Sequence, residues 1–337
     1  MNKRLQALAA TAASVPITLF GLLIVTFLIG RVVPIDPVLA IVGDRAPQDV
    51  VERARLELGL DRPLIEQFWR YLVQTLSGDL GRSVMTSNTV GEDILRFFPA
   101  TFELATVAIV VAAVVGIGLG VLAAVRQGSW VDQAVRVFCL AGHSLPVFVL
   151  ALVSLLIFYA WLGWLPGPGR QGIVYQDTVD TRTGLLTVDA ALAGDWGAFA
   201  DAVAHIVQPA GVLAFFSLAY VARMTRAFML TELRSEYVVT ARAKGLSGTR
   251  IVWRHAFRNT LVPLVTVLFL TYAGLLEGAV LTETIFSWPG LGQYLTVSLL
   301  NADMNAVLGA TLVVGLIYVV LNLMADLLYR LMDPRTR

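Results

Sequence analysis

Six apolar runs divide this chain, and each approaches the length a helix needs to cross a bilayer. A crossing takes roughly 20 residues, since each adds about 1.5 Å and the hydrocarbon core is about 30 Å thick. The first run lies between Arg4 and Arg31, and the second goes from Leu104 to Val125. The third lies between Arg136 and Arg170 and contains His143. The fourth is short, from about Ile206 to Ala222, with Pro209 allowing a kink. The fifth starts at Asn259 and reaches about Thr282, and the sixth goes from about Met304 to Ala325. Only 15% of residues are charged and 57% are hydrophobic. Soluble domains carry about 25% charge, so the composition argues against a water-soluble globule. An all-α integral membrane protein with six transmembrane helices is expected.

The first run has the positive start of a signal peptide in Lys3 and Arg4. It is long for such a segment, and Gly30-Arg-Val-Val-Pro34 offers no small-x-small cleavage site, so it reads as a retained anchor. Lys and Arg then set the orientation. With both termini in the cytoplasm, the inner segments hold Lys3, Arg4, Arg126, Arg136, Arg330, Arg335 and Arg337. They also hold a cluster from Arg223 to Arg258, while residues 284–302 on the outer side have no Lys or Arg. The arginines of the outer loop 34–99 are balanced by acids, and loops of that length obey the rule poorly. The net charge of +1 gives no reason to expect nucleic acid.

The loop after the first span reads as partly helical. Ala46-Pro47 opens one helix that Gly59 ends, and Asp61 is expected to cap a second that stops at Gly78. In that second helix Ile65, Phe68, Trp69, Leu72, Val73 and Leu76 make one apolar face. It suits a membrane surface, other spans, or an external partner. Trp288-Pro-Gly-Leu-Gly292 reads as a turn-rich tip with an interfacial Trp.

No catalytic constellation is visible. The chain's lysines, Lys3 and Lys244, follow no phosphate-loop spacing, and His143, His205 and His255 are far apart. Cys139 is the only cysteine, a small packing residue in an apolar run. No metal, cofactor or ATP site is expected within this chain. The distinctive polar segment is Glu236-Tyr-Val-Val-Thr-Ala-Arg-Ala-Lys-Gly-Leu246, in a basic loop over about residues 231–258 between two apolar runs. Gly245 and Ser247-Gly248 should turn the chain, and Pro263 should fall in the next span's first turn. On physics alone this is either an ordinary positive-inside loop or a lever gripped by a partner.

The order of short segments carries more. Asp36-Pro37, Leu58-Gly-Leu-Asp61, Gly78-Asp-Leu-Gly81, Pro99-Ala-Thr101, Ser144-Leu-Pro146, Arg223-Met-Thr-Arg226, Ala241-Arg-Ala-Lys-Gly-Leu246, the stretch from Glu283 to Gly292, and Asp333-Pro-Arg335 follow one another in the chain. In this the chain resembles the first membrane subunits of dipeptide, oligopeptide and nickel ABC importers, most of all the dipeptide branch. The resemblance implies the type I ABC importer permease fold. It divides the chain into an anchor with an extracytoplasmic segment (1–97), a transmembrane domain (98–330) and a cytoplasmic tail (331–337). It implies an ATPase-coupling helix carrying Glu236, Ala241, Arg242, Ala243, Lys244, Gly245 and Leu246. It further implies a second homologous permease subunit, two cytoplasmic ATPase subunits holding ATP and Mg, and an extracytoplasmic solute-binding protein, all at the bacterial inner membrane. Di- or oligopeptides are the expected cargo, with nickel, glutathione, heme or a sugar as alternatives.

Within the spans, Glu277, Glu283 and His143 are candidates for the pathway or a gate, since intramembrane ionisable groups usually face a bundle interior or water. Glu283 also reads as a helix-end carboxylate reaching interfacial water. Glu277 stands where the resemblance implies a small residue. The competing function is an ion-coupled secondary transporter acting alone, which would need an inverted repeat and broken helices around a midplane site.

Overall fold

The computed structural model describes residues 3–32, 38, 42, 46–57 and 59–332. Its helices are α1 (Lys3–Val32), α2 (Gln48–Glu57), α3 (Leu64–Leu76), α4 (Val90–Val125), α5 (Trp130–Ser144) and α6 (Val147–Ser154). They continue as α7 (Leu186–Ala193), α8 (Trp196–Leu233), α9 (Glu236–Ala243), α10 (Phe257–Gly278), α11 (Val280–Ile285), α12 (Leu291–Leu300) and α13 (Met304–Met332). Leu155–Trp161 and Ile251–Ala256 are π-helical. The described residues hold no strand beyond one antiparallel bridge between Arg82 and Thr89.

Among the described residues, four helical runs are long and apolar enough to cross a membrane: α4, α8, Gly248–Leu276 and Met304–Leu328. Helices α5 and α6 meet that test only together, as one bent span. The expected third span is therefore broken in two, and Pro146 marks the break. Leu145 is extended (φ −97°, ψ 134°), as proline imposes on the residue before it, and Pro146 opens α6. The apolar part of α1 is Val15–Gly30, shorter than the four. Two spans outrun their apolar runs. The 36 residues of α4 and the 38 of α8 are about 54 and 57 Å long, well beyond the hydrocarbon core. Both helices continue through an internal proline, Pro99 or Pro209.

Two compact units emerge. The first joins residues 1–99 to 290–319. Its centre is Val90, Ile94, Leu291, Tyr294, Ala306 and Ala310. Tyr294 stacks on Phe97 at 4.9 Å and donates to Asp93 Oδ2 at 3.0 Å. In the same unit Phe68 of α3 meets Phe20 and Phe27 of α1 edge-on, and Tyr71 OH pairs with Thr26 Oγ1 at 2.9 Å. The expected apolar face of α3 is thus split. Phe68 and Leu72 are half-buried, while Ile65, Trp69, Val73 and Leu76 are exposed. Asp61 does not cap α3: Pro63 takes that position, and its carbonyl accepts from the amides of Glu66 and Gln67.

The second unit joins residues 100–289 to 320–337, and α8 is its spine. Between apolar helices in lipid there is little hydrophobic gain, so close backbone approach holds them together. Gly116 and Gly120 of α4 supply it, four residues apart. A Cβ added at Gly120 would lie 2.6 Å from the Ala222 carbonyl oxygen of α8. Val221 of α8, against which a Cβ at Gly116 would press, is fully buried where α4 and α8 meet Leu264 and Val267 of α10.

Candidate functional site

Helix α9 sits in the loop between α8 and the α10 run, and its geometry follows from its residues. Ser235 is extended and opens the helix, but its hydroxyl donates back to the Glu232 carbonyl rather than capping α9. After eight residues Lys244 ends it. Gly245 then takes φ +77°, the left-handed conformation that glycine adopts without a Cβ penalty. The Leu246 amide donates to the Ala241 carbonyl (3.2 Å) and the Gly245 amide to the Arg242 carbonyl (2.9 Å), which is a Schellman stop. The matching apolar contact is present: Leu246 packs against Val238, Ala241 and Ile251.

This small core sorts the coupling candidates. Ala241 is buried and Leu246 half-buried, and both pack inside the turn. Glu236, Arg242, Ala243, Lys244 and Gly245 are exposed, together with Tyr237 and Val239. A Cβ at Gly245 would meet nothing within 4 Å, so backbone conformation alone restricts that position.

The loop is tied to both long helices. Glu232, on the last turn of α8, accepts from Tyr237 OH of α9 and from Asn259 Nδ2 of α10 (3.4 Å). Burial, and then the Glu232 hydrogen bond, push the Tyr237 phenol up. Ala256 is buried with Val121, Ala124 and Met229, which fastens the π segment to the ends of α4 and α8. A π turn at such a junction is the kind of irregularity found at functional sites. Pro263 lies in the second turn of α10, further along than expected, because the helical run already begins at Gly248. Beside this, Asp132 of α5 receives both Nε (2.7 Å) and Nη2 (2.8 Å) of Arg226 on α8, a bidentate clamp. Glu232 was missed in the sequence because it reads as one more charge in a charged loop.

The other end of this unit is polar but closed. Glu103 accepts from Arg170 and from the Thr187 amide (2.8 Å), and Arg170 also donates to the Gly184 carbonyl (2.7 Å). Glu283 is fully buried and takes a hydrogen bond from Thr101 Oγ1 at 2.6 Å. It does not reach interfacial water as a helix-end carboxylate would. Trp288 is likewise enclosed, its indole N–H donating to the Ala100 carbonyl at 2.9 Å, instead of lying at an interface. Asp189 is buried, which alone would raise its pKa. Hydrogen bonds from the Thr183 hydroxyl and from the amides of Thr183, Gly184 and Arg182 outweigh this and hold its carboxyl below the usual range. The side chains of His143 and Glu277 lie outside the described ones. No cluster of three or more metal-ligating residues occurs among the described residues.

Membrane-length helices with a short, outward-charged helix on a stiff turn define an integral membrane component. Residues 116–337 match the family described as binding-protein-dependent transport system inner membrane component, and residues 5–105 match its N-terminal companion. The chain belongs to this family of transport-system membrane components. It is 44% identical to an Escherichia coli K12 protein named a probable D,D-dipeptide transport system permease protein, over 94% of this chain and 92% of that one. It is 42% identical to a di/tripeptide transport system permease protein of Pseudomonas aeruginosa, over 95% of each. A solved structure of the inward-facing MetNI methionine ABC transporter has the same fold, with a TM-score of 0.50 and 18% identity over 71% of this chain and 96% of that one.

Proposed function

We propose that this chain is one permease subunit of an ATP-driven importer, forming half of the pathway for di- or oligopeptides. The carrying observation is α9: exposed Glu236, Arg242 and Lys244 on a turn held rigid by its own core and tied through Glu232 to α8 and α10. Such a lever converts a push from a partner into movement of α8 and α10 together. Arg242 and Lys244 meet acidic groups of a cytoplasmic ATPase, while Tyr237 and Val239 give apolar contact. ATP and Mg reside on two such ATPase subunits. A second, homologous permease completes the pathway, and an external solute-binding protein delivers cargo. The permease switches between two packings biased from opposite sides by nucleotide and loaded binding protein.

This reading carries a topology. The Val15–Gly30 stretch of α1 makes a sixth span, both termini lie in the cytoplasm of the inner membrane, and the α2–α3 segment lies outside. The 98–330 portion is the transporter proper. Glu277, Glu283 and His143 then lie along or behind the pathway, with Glu283 enclosed in this conformation. The peptide assignment is supported by the names of the two relatives given above, both peptide permeases. It is tested by uptake of labelled dipeptides, nickel chelate and a sugar in proteoliposomes holding the complete system. ATP-dependent uptake of dipeptide alone is expected. Uptake of only the chelate or the sugar would overturn the cargo, and uptake by this subunit alone would overturn the class.

A further inference from the structure

A cavity of about 400 Å³ opens between α5 and α8 in the second unit. Three of its lining residues are arginines, Arg136, Arg223 and Arg226, and none is acidic. Arg226 is committed to Asp132 through both its Nε and Nη2. Arg136 and Arg223 are exposed, and Arg223 lies over the Tyr220 ring at 5.5 Å. The remaining wall is largely apolar, with Val137, Leu140 and Ala219 among its residues. Two available guanidinium groups above an apolar wall form a surface for an anionic amphiphile.

The position narrows the choice. Arg136 is six residues into α5, about 9 Å from its start. Arg223 is ten residues before the end of α8, about 15 Å back from it. These long side chains can snorkel to the headgroup layer while their stems line the apolar wall. Trp130, 79% exposed at the start of α5, marks the same end with an interfacial aromatic. On the proposed topology, on which this inference rests, that end faces the cytoplasm and the anionic inner leaflet. We propose that the cavity holds the headgroup of an anionic phospholipid, with Arg136 and Arg223 on its phosphate and an acyl chain along Leu140 and Ala219. A bound lipid would bridge α5 and α8 beside the Asp132–Arg226 clamp, so the local lipid composition would tune the stiffness of the coupling end.

The complete transporter is purified, delipidated, and titrated with phosphatidylglycerol or phosphatidylcholine under native mass spectrometry. The wild type should retain a phosphatidylglycerol that Arg136→Gln/Arg223→Gln retains about thirty-fold less well, at about 1 kcal/mol per arginine. Arg136→Lys/Arg223→Lys should keep most of the binding, and phosphatidylcholine should bind all three forms equally. Equal phosphatidylglycerol retention by wild type and the Gln variant would overturn the proposal. Displacement of the lipid by soluble glycerol phosphate at similar concentration would reassign the cavity to a free phosphate, and displacement by dipeptide would reassign it to the transport path. Co-purification of the ATPase subunits is scored separately, so loss of the topology reading is distinguishable from loss of the lipid site.

Discussion

The two ends of the α8 unit solve opposite problems with the same residue types. On α9, a helix only eight residues long, the charges are turned outward over a small core of Val238, Ala241 and Ile251, while behind it Asp132 and Arg226 clamp α5 to α8. At the other end the charges and the large aromatic are turned inward, with Glu103 on Arg170, Glu283 on Thr101 and Trp288 on Ala100. A charge that is to meet a partner must stay hydrated until the partner arrives, so its cost appears at docking. A charge buried with a fixed partner specifies one packing at the cost of desolvation. On the proposed function the exposed charges of α9 await a partner, while the buried pairs at the other end hold helix ends in register.

The largest effect separating them should come from Arg170→Ala. It leaves Glu103 buried without its cation and should cost about 3–5 kcal/mol of stability, read as a fall in thermal midpoint and in membrane accumulation. Pairing it with Glu103→Leu should recover much of the loss; no recovery would mean that Arg170 acts mainly through Gly184 or Trp288.

Next comes the α4–α8 contact. Gly120→Val forces side-chain atoms against the Ala222 carbonyl and should cost about 1–3 kcal/mol. An unchanged melting point would show that α4 slides aside at no cost.

Gly245→Val is the complementary change at the contact end. There the added atoms meet open space, so the cost is confined to left-handed backbone strain, about 1–2 kcal/mol within one turn. Melting should move little, while uptake falls and ATP hydrolysis continues. Normal stimulated uptake would count against the lever.

The smallest effect concerns pH. The Asp189 pKa is lowered on folding, so its contribution is present above the unfolded carboxylate value, near 4, and is lost as pH falls through the lower folded value. Asp189→Asn should therefore be less stable than wild type at pH 7, with the gap closing in acid. A gap that stays constant with pH would mean the hydrogen bonds, not the charge, matter.

The sequence made some of this plain and concealed the rest for identifiable reasons. Apolar runs announce helices through length alone, and Gly59, Gly78 and Gly245 mark turns because their conformations are left-handed. The break at Leu145–Pro146 was legible in principle, since proline restricts its predecessor, but the unbroken hydropathy of the run masked it. Trp288 and Glu283 were misplaced because their partners, Ala100 and Thr101, are 188 and 182 residues away and leave no local signature. Ala241 looked like a contact residue because it is small and lies among charges. Its inward direction depends on Ile251, which the loop brings back only after Gly245 has turned the chain.

On the proposed function α9 presents Arg242 and Lys244 to an ATPase while Ala241 stays inside the turn. Single cysteines introduced by Arg242→Cys, Lys244→Cys and Ala241→Cys, in a Cys139→Ser background, can be crosslinked in the assembled transporter with a short bifunctional reagent. Ready crosslinks from the first two to the ATPase subunit, with little from the third, are predicted. Crosslinking of the Ala241→Cys variant as fast as the others, or labelling of the Lys244→Cys variant by an impermeant reagent from outside the cell, would contradict it.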